Sequence, residues 1–160
     1  MDFLMRAHNR WKEIRPELDT ESFLSIGRII RIASYITVVT DEVVGQHGLN
    51  RGEFELLAAV RRSGKNCRAT ELSVMTKSSG AAITKRLDRL TMQGLITREV
   101  LPRDRRVVLV NLTNEGRHLI DELMPAVLDG EKKLLSDFDE TEIAELQRLS
   151  AKLLNAVEPR

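Results

Sequence analysis

The sequence has few of the residues on which secreted, fibrous or metal-binding proteins depend. Its 160 residues include one cysteine, four prolines and nine glycines. The single cysteine, Cys67, allows no internal disulfide, which is typical of a protein that folds in a reducing compartment. The three histidines, His8, His47 and His118, lack metal-ligand spacing, so we expect no structural zinc. Collagen-like and disulfide-rich classes are excluded, and no metal or cofactor is predicted.

Enzyme motifs and long apolar runs are also absent from the sequence. It contains no Gly-rich phosphate loop, no nucleophile elbow and no HExxH pair, so no enzymatic activity is predicted. The most apolar stretch, 23–44, is interrupted by four charged residues. Its longest uncharged run, Ile32–Thr40, is far shorter than the roughly 20 residues of a membrane-spanning helix. The N-terminal segment has no cleavage site typical of a secretory signal. We therefore expect a cytoplasmic protein without a membrane segment.

Charge is balanced over the whole chain but not along it. The 25 Lys and Arg residues against 24 Asp and Glu residues give a net charge of +1. Residues 65–106 hold ten basic and four acidic residues, whereas the rest of the chain has 15 basic and 20 acidic ones. A basic centre in an acidic remainder is typical of a nucleic-acid-binding face on a neutral scaffold, although a solvated charged surface has the same composition.

Apolar periodicity predicts a mainly helical chain. Pro16 ends a first helix that starts near Phe3, and Asp19 or Thr20 caps a long second helix that reaches Gly45. The second helix is apolar over most of its circumference, so we expect it to be buried, for example in an oligomer interface. The other predicted helices span about 50–64, 69–76, 80–93, 113–135 (bent at Pro125) and 139–157.

A short β-hairpin follows the fifth predicted helix. Branched residues fill two runs, 95–101 and 107–112, on either side of the basic loop 102–106. Two short helices joined by a tight turn and followed by a basic hairpin form the pattern of a winged helix-turn-helix. The predicted fold class is therefore mainly α, with a small β-hairpin.

The second helix of this pair has to keep one apolar stripe on the protein and turn a polar stripe toward DNA. Ile83, Leu87, Leu90 and Met92 are predicted to belong to the core. We expect DNA contacts from small or basic residues at the helix start and along its outward face, namely Ser78, Ser79, Ala81, Thr84, Lys85 and Arg89. At the hairpin tip the arginines predicted to contact DNA are Arg103, Arg105 and Arg106. Asp104 is predicted to orient one of their guanidinium groups.

These residues carry a resemblance to a known family. The runs that carry it are Ser78-Ser79-Gly80, Thr84–Leu90 and the hairpin run Asp104-Arg105-Arg106, which is followed by Leu112-Thr113-Asn114-Glu115-Gly116. They resemble the multiple-antibiotic-resistance regulator (MarR) family of bacterial repressors. The resemblance implies a homodimer that binds palindromic operators in double-stranded DNA and is released by a ligand or by oxidation. It also implies N-terminal helices for dimerisation and a ligand pocket (1–48), a winged helix-turn-helix (49–112) and C-terminal dimerisation helices (113–160), all within one compact domain.

The N-terminal segment resembles one branch of that family more narrowly. Arg10-Trp11-Lys12-Glu13 and Arg15–Asp19 are similar to the urate-responsive, PecS-like branch. The resemblance implies an effector pocket for a small aromatic or carboxylate anion, formed by Trp11, Glu55, Arg86 and Arg98. In such a pocket the arginines attract the anion, the carboxylate accepts ring N–H groups and the indole stacks on the ring. Glu55 stands where that branch usually has aspartate, and a packing role for Trp11 is the alternative.

Two alternatives to a ligand-responsive repressor use the same residues. Oxidation of Cys67 would make the repressor redox-responsive, whereas a buried structural thiol would not respond. A dimeric module that binds ligands or proteins but has lost DNA binding is the other alternative. The basic and hydroxyl residues Thr84, Lys85 and Arg89 favour DNA binding over such a module.

Overall fold

The computed structural model describes residues 1–64, 66–101 and 103–158, with the side chains of Arg105 and Arg106 excepted. Within these residues the helices and strands follow one another as α1 (Phe3–Ile14), α2 (Glu21–Gly45), α3 (Arg51–Ser63), β1 (Cys67–Arg68), α4 (Ala69–Met75), α5 (Gly80–Met92), β2 (Ile96–Leu101), β3 (Asp104–Leu112), α6 (Asn114–Leu134) and α7 (Glu140–Val157). The predicted fold class, mainly α with a small β element, is confirmed.

Capping side chains fix the starts of several helices. Asn50 and Glu53 form a reciprocal capping box, in which Asn50 Oδ1 accepts from Glu53 N at 3.0 Å and Glu53 Oε2 accepts from Asn50 N at 2.9 Å. Thr113 Oγ1 accepts from Gly116 N at the start of α6. Helix α2 differs, because Thr20 occupies the cap position without a side-chain cap bond. Capping of this kind satisfies backbone N–H groups that have no partner inside the helix.

The sheet is larger than the predicted hairpin. Its strand order is β1-β3-β2, and all pairs are antiparallel. Strand β3 begins at Asp104, which pairs with Leu101, so Arg105 and Arg106 belong to a strand rather than to the predicted loop 102–106. Strand β1 was not predicted, because two residues show no alternation and this strand exists only through its pairing with β3.

The main core lies under the helix-turn-helix and the sheet. Helices α3, α4 and α5 contribute Leu56, Leu57, Leu72 and Leu90, and α6 contributes Ile120, all at most 1% exposed. The predicted core positions Ile83, Leu87 and Leu90 are confirmed as buried. Cys67 is also buried in this core.

The prediction that Met92 belongs to the core is wrong. Its side chain is 81% exposed. Met92 follows Lys85 by seven residues, so both lie on the same face of α5, which is the face turned away from the protein. Because Met92 follows Leu90 by only two residues, it lies on the other side of the helix from the apolar stripe.

Helices α2 and α7 leave much apolar surface exposed in the single chain. In α2 only Leu24, Thr40 and Val44 are buried, and α7 has no buried residue. In length and composition α2 could cross a membrane, in contrast to the expectation from its interrupting charges. The core helix of a soluble protein has the same composition, and α2 here packs against α1, α3 and α6.

Candidate nucleic-acid interface

The outward face of α5 is the most direct candidate for contact with a nucleic acid. Ser79 caps the helix, its Oγ accepting from Ala82 N at 3.3 Å. A shallow groove runs along the exposed side of the helix and is lined by Ala81, Thr84, Lys85, Asp88, Arg89 and Met92. The helix therefore presents an exposed N-terminal turn, small side chains and basic residues to solvent, as a recognition helix requires.

Ser78 lies close to this face but has a structural role. Its Oγ accepts from Arg86 Nη1 at 2.7 Å and donates to the carbonyl of Thr76 at 3.1 Å. Its own carbonyl accepts from Ser73 Oγ. Ser78 thus holds the turn between α4 and α5; of the two predicted serines, Ser78 is half-buried and Ser79 is exposed. Spacing alone does not distinguish two neighbouring hydroxyls of this kind.

Arg89 is exposed on the same face, yet its guanidinium is engaged within the protein. Arg89 Nε lies 3.3 Å from Glu53 Oε1, and Nη2 donates to the carbonyl of Gly48 at 3.4 Å. Glu53 is only 1% exposed. The sequence predicts Arg89 as a DNA contact, and the structure shows that a DNA contact would compete with this ion pair.

The wing is tied to the recognition helix by a salt bridge. Arg98 Nη1 on β2 lies 2.7 Å from Asp88 Oδ1 on α5. Arg103 and Asp104 are exposed at the tip of the hairpin. The side chains of Arg105 and Arg106 lie outside the described residues, so their predicted contacts and the predicted orienting role of Asp104 stay predictions.

The four predicted effector residues lie on four different elements of the chain, α1, α3, α5 and β2. Trp11 on α1 is 47% exposed, and Glu55 Oε1 lies 3.5 Å from Arg51 Nε. Arg86 covers Gly52, where an added Cβ would lie 2.3 Å from its Cζ, and Arg98 pairs with Asp88. Arg86 Nη1 also donates to Ser78 Oγ at 2.7 Å, so both predicted arginines have partners within the chain. Binding of an effector by these four residues stays a prediction.

A different cavity of about 320 Å³ lies beside Glu55. Its lining comes from α3, the end of α4 and α6, and consists of Phe54, Glu55, Ala58, Arg62, Met75, Thr76, Lys77 and Met124. Two cations and several apolar side chains face this space. Neither Arg62 nor Lys77 is among the predicted effector residues, although Glu55, Ala58 and Arg62 have the spacing of one helix face.

Comparisons with known proteins agree with this geometry. Residues 47–107 match the model of the MarR family. The chain is 33% identical over 142 residues to the HTH-type transcriptional regulator PecS of Dickeya dadantii, covering 88% of this chain and 86% of PecS. It is 32% identical over 128 residues to the HTH-type transcriptional regulator PapX of Escherichia coli, covering 78% of this chain and 77% of PapX.

A solved structure extends the similarity to the fold. The crystal structure of a cysteine-to-serine mutant of MarR from Escherichia coli, complexed with operator DNA, superposes with a TM-score of 0.72 at 26% identity. The match covers 90% of this chain and 97% of that one. The fold is therefore shared over nearly the whole length of both chains.

Proposed function

Because this chain belongs to the MarR family of transcriptional regulators, we propose that it binds a pseudo-palindromic operator as a homodimer. As a repressor in the bacterial cytoplasm, it would release that operator when a small anion binds. One observation carries the proposal: in the N-terminal half of α5, which Ser79 caps, Ala81, Thr84 and Lys85 form an exposed outward face. In the similar MarR structure the protein is complexed with operator DNA.

The proposed contacts divide by what they can recognise. Thr84 and Ala81 are small enough to approach base edges, while Lys85 reaches a phosphate or a guanine. The wing supplies Arg103 and, by prediction, Arg105 and Arg106 for the adjacent minor groove. Two recognition helices of a symmetric pair would occupy successive major grooves about 34–36 Å apart.

For the effector, the cavity beside Glu55 supports a small aromatic or carboxylate anion. Arg62 and Lys77 supply positive charge there, and Phe54 and Met75 supply apolar contacts. Glu55 is the predicted effector residue that lines this cavity. The assignments of Trp11, Arg86 and Arg98 stay predictions, since the lining of this cavity includes none of the three. The burial of Cys67 favours a structural thiol over the redox-responsive alternative.

Lys85→Gln tests the DNA-binding proposal. Binding of the purified protein to the DNA upstream of its own gene is measured by fluorescence anisotropy across a salt series. Loss of one phosphate contact should reduce the salt slope by roughly 0.9 and weaken binding. Lys132→Gln, which removes the same charge from an exposed site in the last turn of α6, should bind as the wild type does.

Two results would contradict the proposal. One is a wild-type protein that binds this DNA no better than a scrambled duplex. The other is a Lys85→Gln variant that equals the wild type at every salt concentration. Adding urate, an aromatic anion, to the preformed complex tests the proposed release in the same assay.

A further inference from the structure

The recognition helix α5 is tied to the corner between α2 and α3. Arg89 Nη2 and Gln93 Nε2 both donate to the carbonyl of Gly48, at 3.4 Å and 3.3 Å. Gly48 has a φ of 72°, a left-handed conformation that glycine adopts at little cost. Leu49 N donates back to the carbonyl of Val44 at 3.3 Å. The corner that ends α2 is therefore also the point held by the last turn of α5.

The carboxylate of Glu53 explains why an arginine is needed at this corner. Glu53 is 1% exposed, and its Oε2 accepts from Asn50 N at the start of α3. Its other oxygen faces Arg89 Nε at 3.3 Å. A buried carboxylate is costly unless a counter-charge and hydrogen bonds compensate for lost hydration. If Arg89 moved to a DNA phosphate, Glu53 would lose this compensation.

We propose that Arg89 is a positioning residue that locks α5 onto the α2–α3 corner, and that it does not contact the bases or phosphates of the operator. The corner also terminates α2, whose exposed apolar face is the proposed dimer surface. The Glu53–Arg89 pair therefore sets the angle of each recognition helix relative to the subunit interface. This inference rests on the proposed DNA-binding function and assigns one of its residues a different role.

Glu53→Gln separates this role from direct contact, because the two predict opposite effects. Glutamine keeps the size and an acceptor oxygen of the side chain but removes the charge that holds Arg89. If Arg89 contacted DNA, freeing it from Glu53 would maintain or strengthen operator binding. If Arg89 positions α5, loss of the pair lets the helix turn away from its optimal angle, and specific binding falls while the basic face stays intact.

The experiment compares Glu53→Gln, Arg89→Gln, the double variant and Lys85→Gln on operator and scrambled duplexes over a salt series. Glu53→Gln should weaken operator binding about tenfold, within the usual range of coupling between sites. Its affinity for the scrambled duplex and its salt slope should be unchanged. The double variant should bind the operator no more weakly than Arg89→Gln alone, since both changes break the same interaction. Lys85→Gln should weaken binding to both duplexes.

A second measurement needs no DNA and no folded Glu53→Gln protein. Amide hydrogen exchange in residues 48–53 should rise in Arg89→Gln, because the tie exists in the free protein. Arg89→Lys, which keeps the counter-charge, should restore part of the protection.

Each contrary result has a distinct meaning. Operator binding by Glu53→Gln that equals or exceeds the wild type, or unchanged exchange in Arg89→Gln, would overturn the positioning role alone. A wild-type protein without preference for the operator would overturn the proposed function, and this inference with it.

Discussion

Gly116 lies where two elements meet through their backbones. An added Cβ at Gly116 would lie 2.0 Å from the carbonyl oxygen of Leu95. The same carbonyl accepts from Thr113 N at 3.1 Å, so the start of α6 is pressed against the residue that precedes β2. The neighbouring wing strand is positioned through this contact. A side chain at Gly116 would have to move backbone, which is harder to displace than the end of a flexible side chain.

Gly116→Ala should therefore destabilise the protein, by about 1–3 kcal/mol, the usual cost of overpacking a tight site. Urea unfolding followed by circular dichroism measures the change. Gly45→Ala is the matched control, because an added Cβ there meets no atom within 4 Å. The control should be neutral or more stable by about 0.4–1 kcal/mol. An unchanged unfolding midpoint for Gly116→Ala would show that the α6 start can shift freely.

At the scale of elements, a salt bridge joins α3 to α6. Arg61 Nε and Nη2 donate to the two carboxylate oxygens of Asp121 at 2.8 Å and 3.0 Å. The hydrogen bonds from Arg61 hold the pKa of Asp121 below its ordinary value of 3.8, with the charge of Arg61 adding to the effect against partial desolvation. The same pairing raises the pKa of Arg61. Both side chains are about half exposed, so the pair contributes modestly.

The sign of the pH dependence follows from the lowered pKa of Asp121. Asp121 binds a proton more readily in the unfolded chain than in the folded protein. The stabilisation by the Arg61–Asp121 pair is therefore complete above the ordinary pKa of the carboxyl group and is lost as the pH falls through its lower pKa in the folded protein. Asp121→Asn should be less stable than the wild type at pH 7, and this difference should shrink as the pH falls below about 4. Urea unfolding across this range measures it.

Asp129→Asn provides the comparison for that series. Asp129 is exposed on the same helix and has no ion pair with the described residues. Its stability difference from the wild type should be small at every pH. A difference for Asp121→Asn that stays constant down to low pH would mean that the Arg61 pair does not contribute through its charge.

At the scale of the whole molecule, helices α2 and α7 each expose an apolar face in the single chain. Helix α7 exposes Leu146, Leu149, Leu153 and Val157 at helical spacing, and α2 exposes a longer apolar face. Contiguous exposed apolar surface on a soluble protein marks an interface. A second copy of the chain is the proposed occupant. The division into 1–48, 49–112 and 113–160 stays a proposal, and α6 already contributes Ile120 and Leu123 to the core of the middle segment.

Leu149→Glu should dissociate this proposed dimer. Leucine burial contributes about 1.5–3 kcal/mol, so placing a charge there should raise the dimer dissociation constant tenfold or more. Analytical ultracentrifugation over a dilution series measures the constant, and operator affinity should fall in parallel. Asn155→Glu introduces the same charge at an exposed position on the side of α7 opposite Leu146 and Leu153 and should remain dimeric. Equal dissociation constants for the two variants would place the interface elsewhere.

Much of the secondary structure and the general location of the DNA-binding face could be predicted without coordinates. The helix starts at Asn50 and Asp139, the apolar stripe of α5 and the end of that helix before Gly94 depend on residues within about one helical turn of each other. Such short-range interactions are determined by the local order of residues. The basic centre and the wing pattern likewise indicated a nucleic-acid-binding protein before any geometry was known.

What the tertiary structure decided is the partner of each functional side chain. Strand β1 exists only because β3 lies beside it, and the role of Ser78 depends on its hydrogen bond from Arg86 on α5. Arg89 meets a buried carboxylate on α3, and Arg98 on β2 meets Asp88 on α5. These contacts join residues that are far apart along the chain or on different elements. Periodicity specifies which face a residue occupies, but the packing of whole elements determines what that face meets.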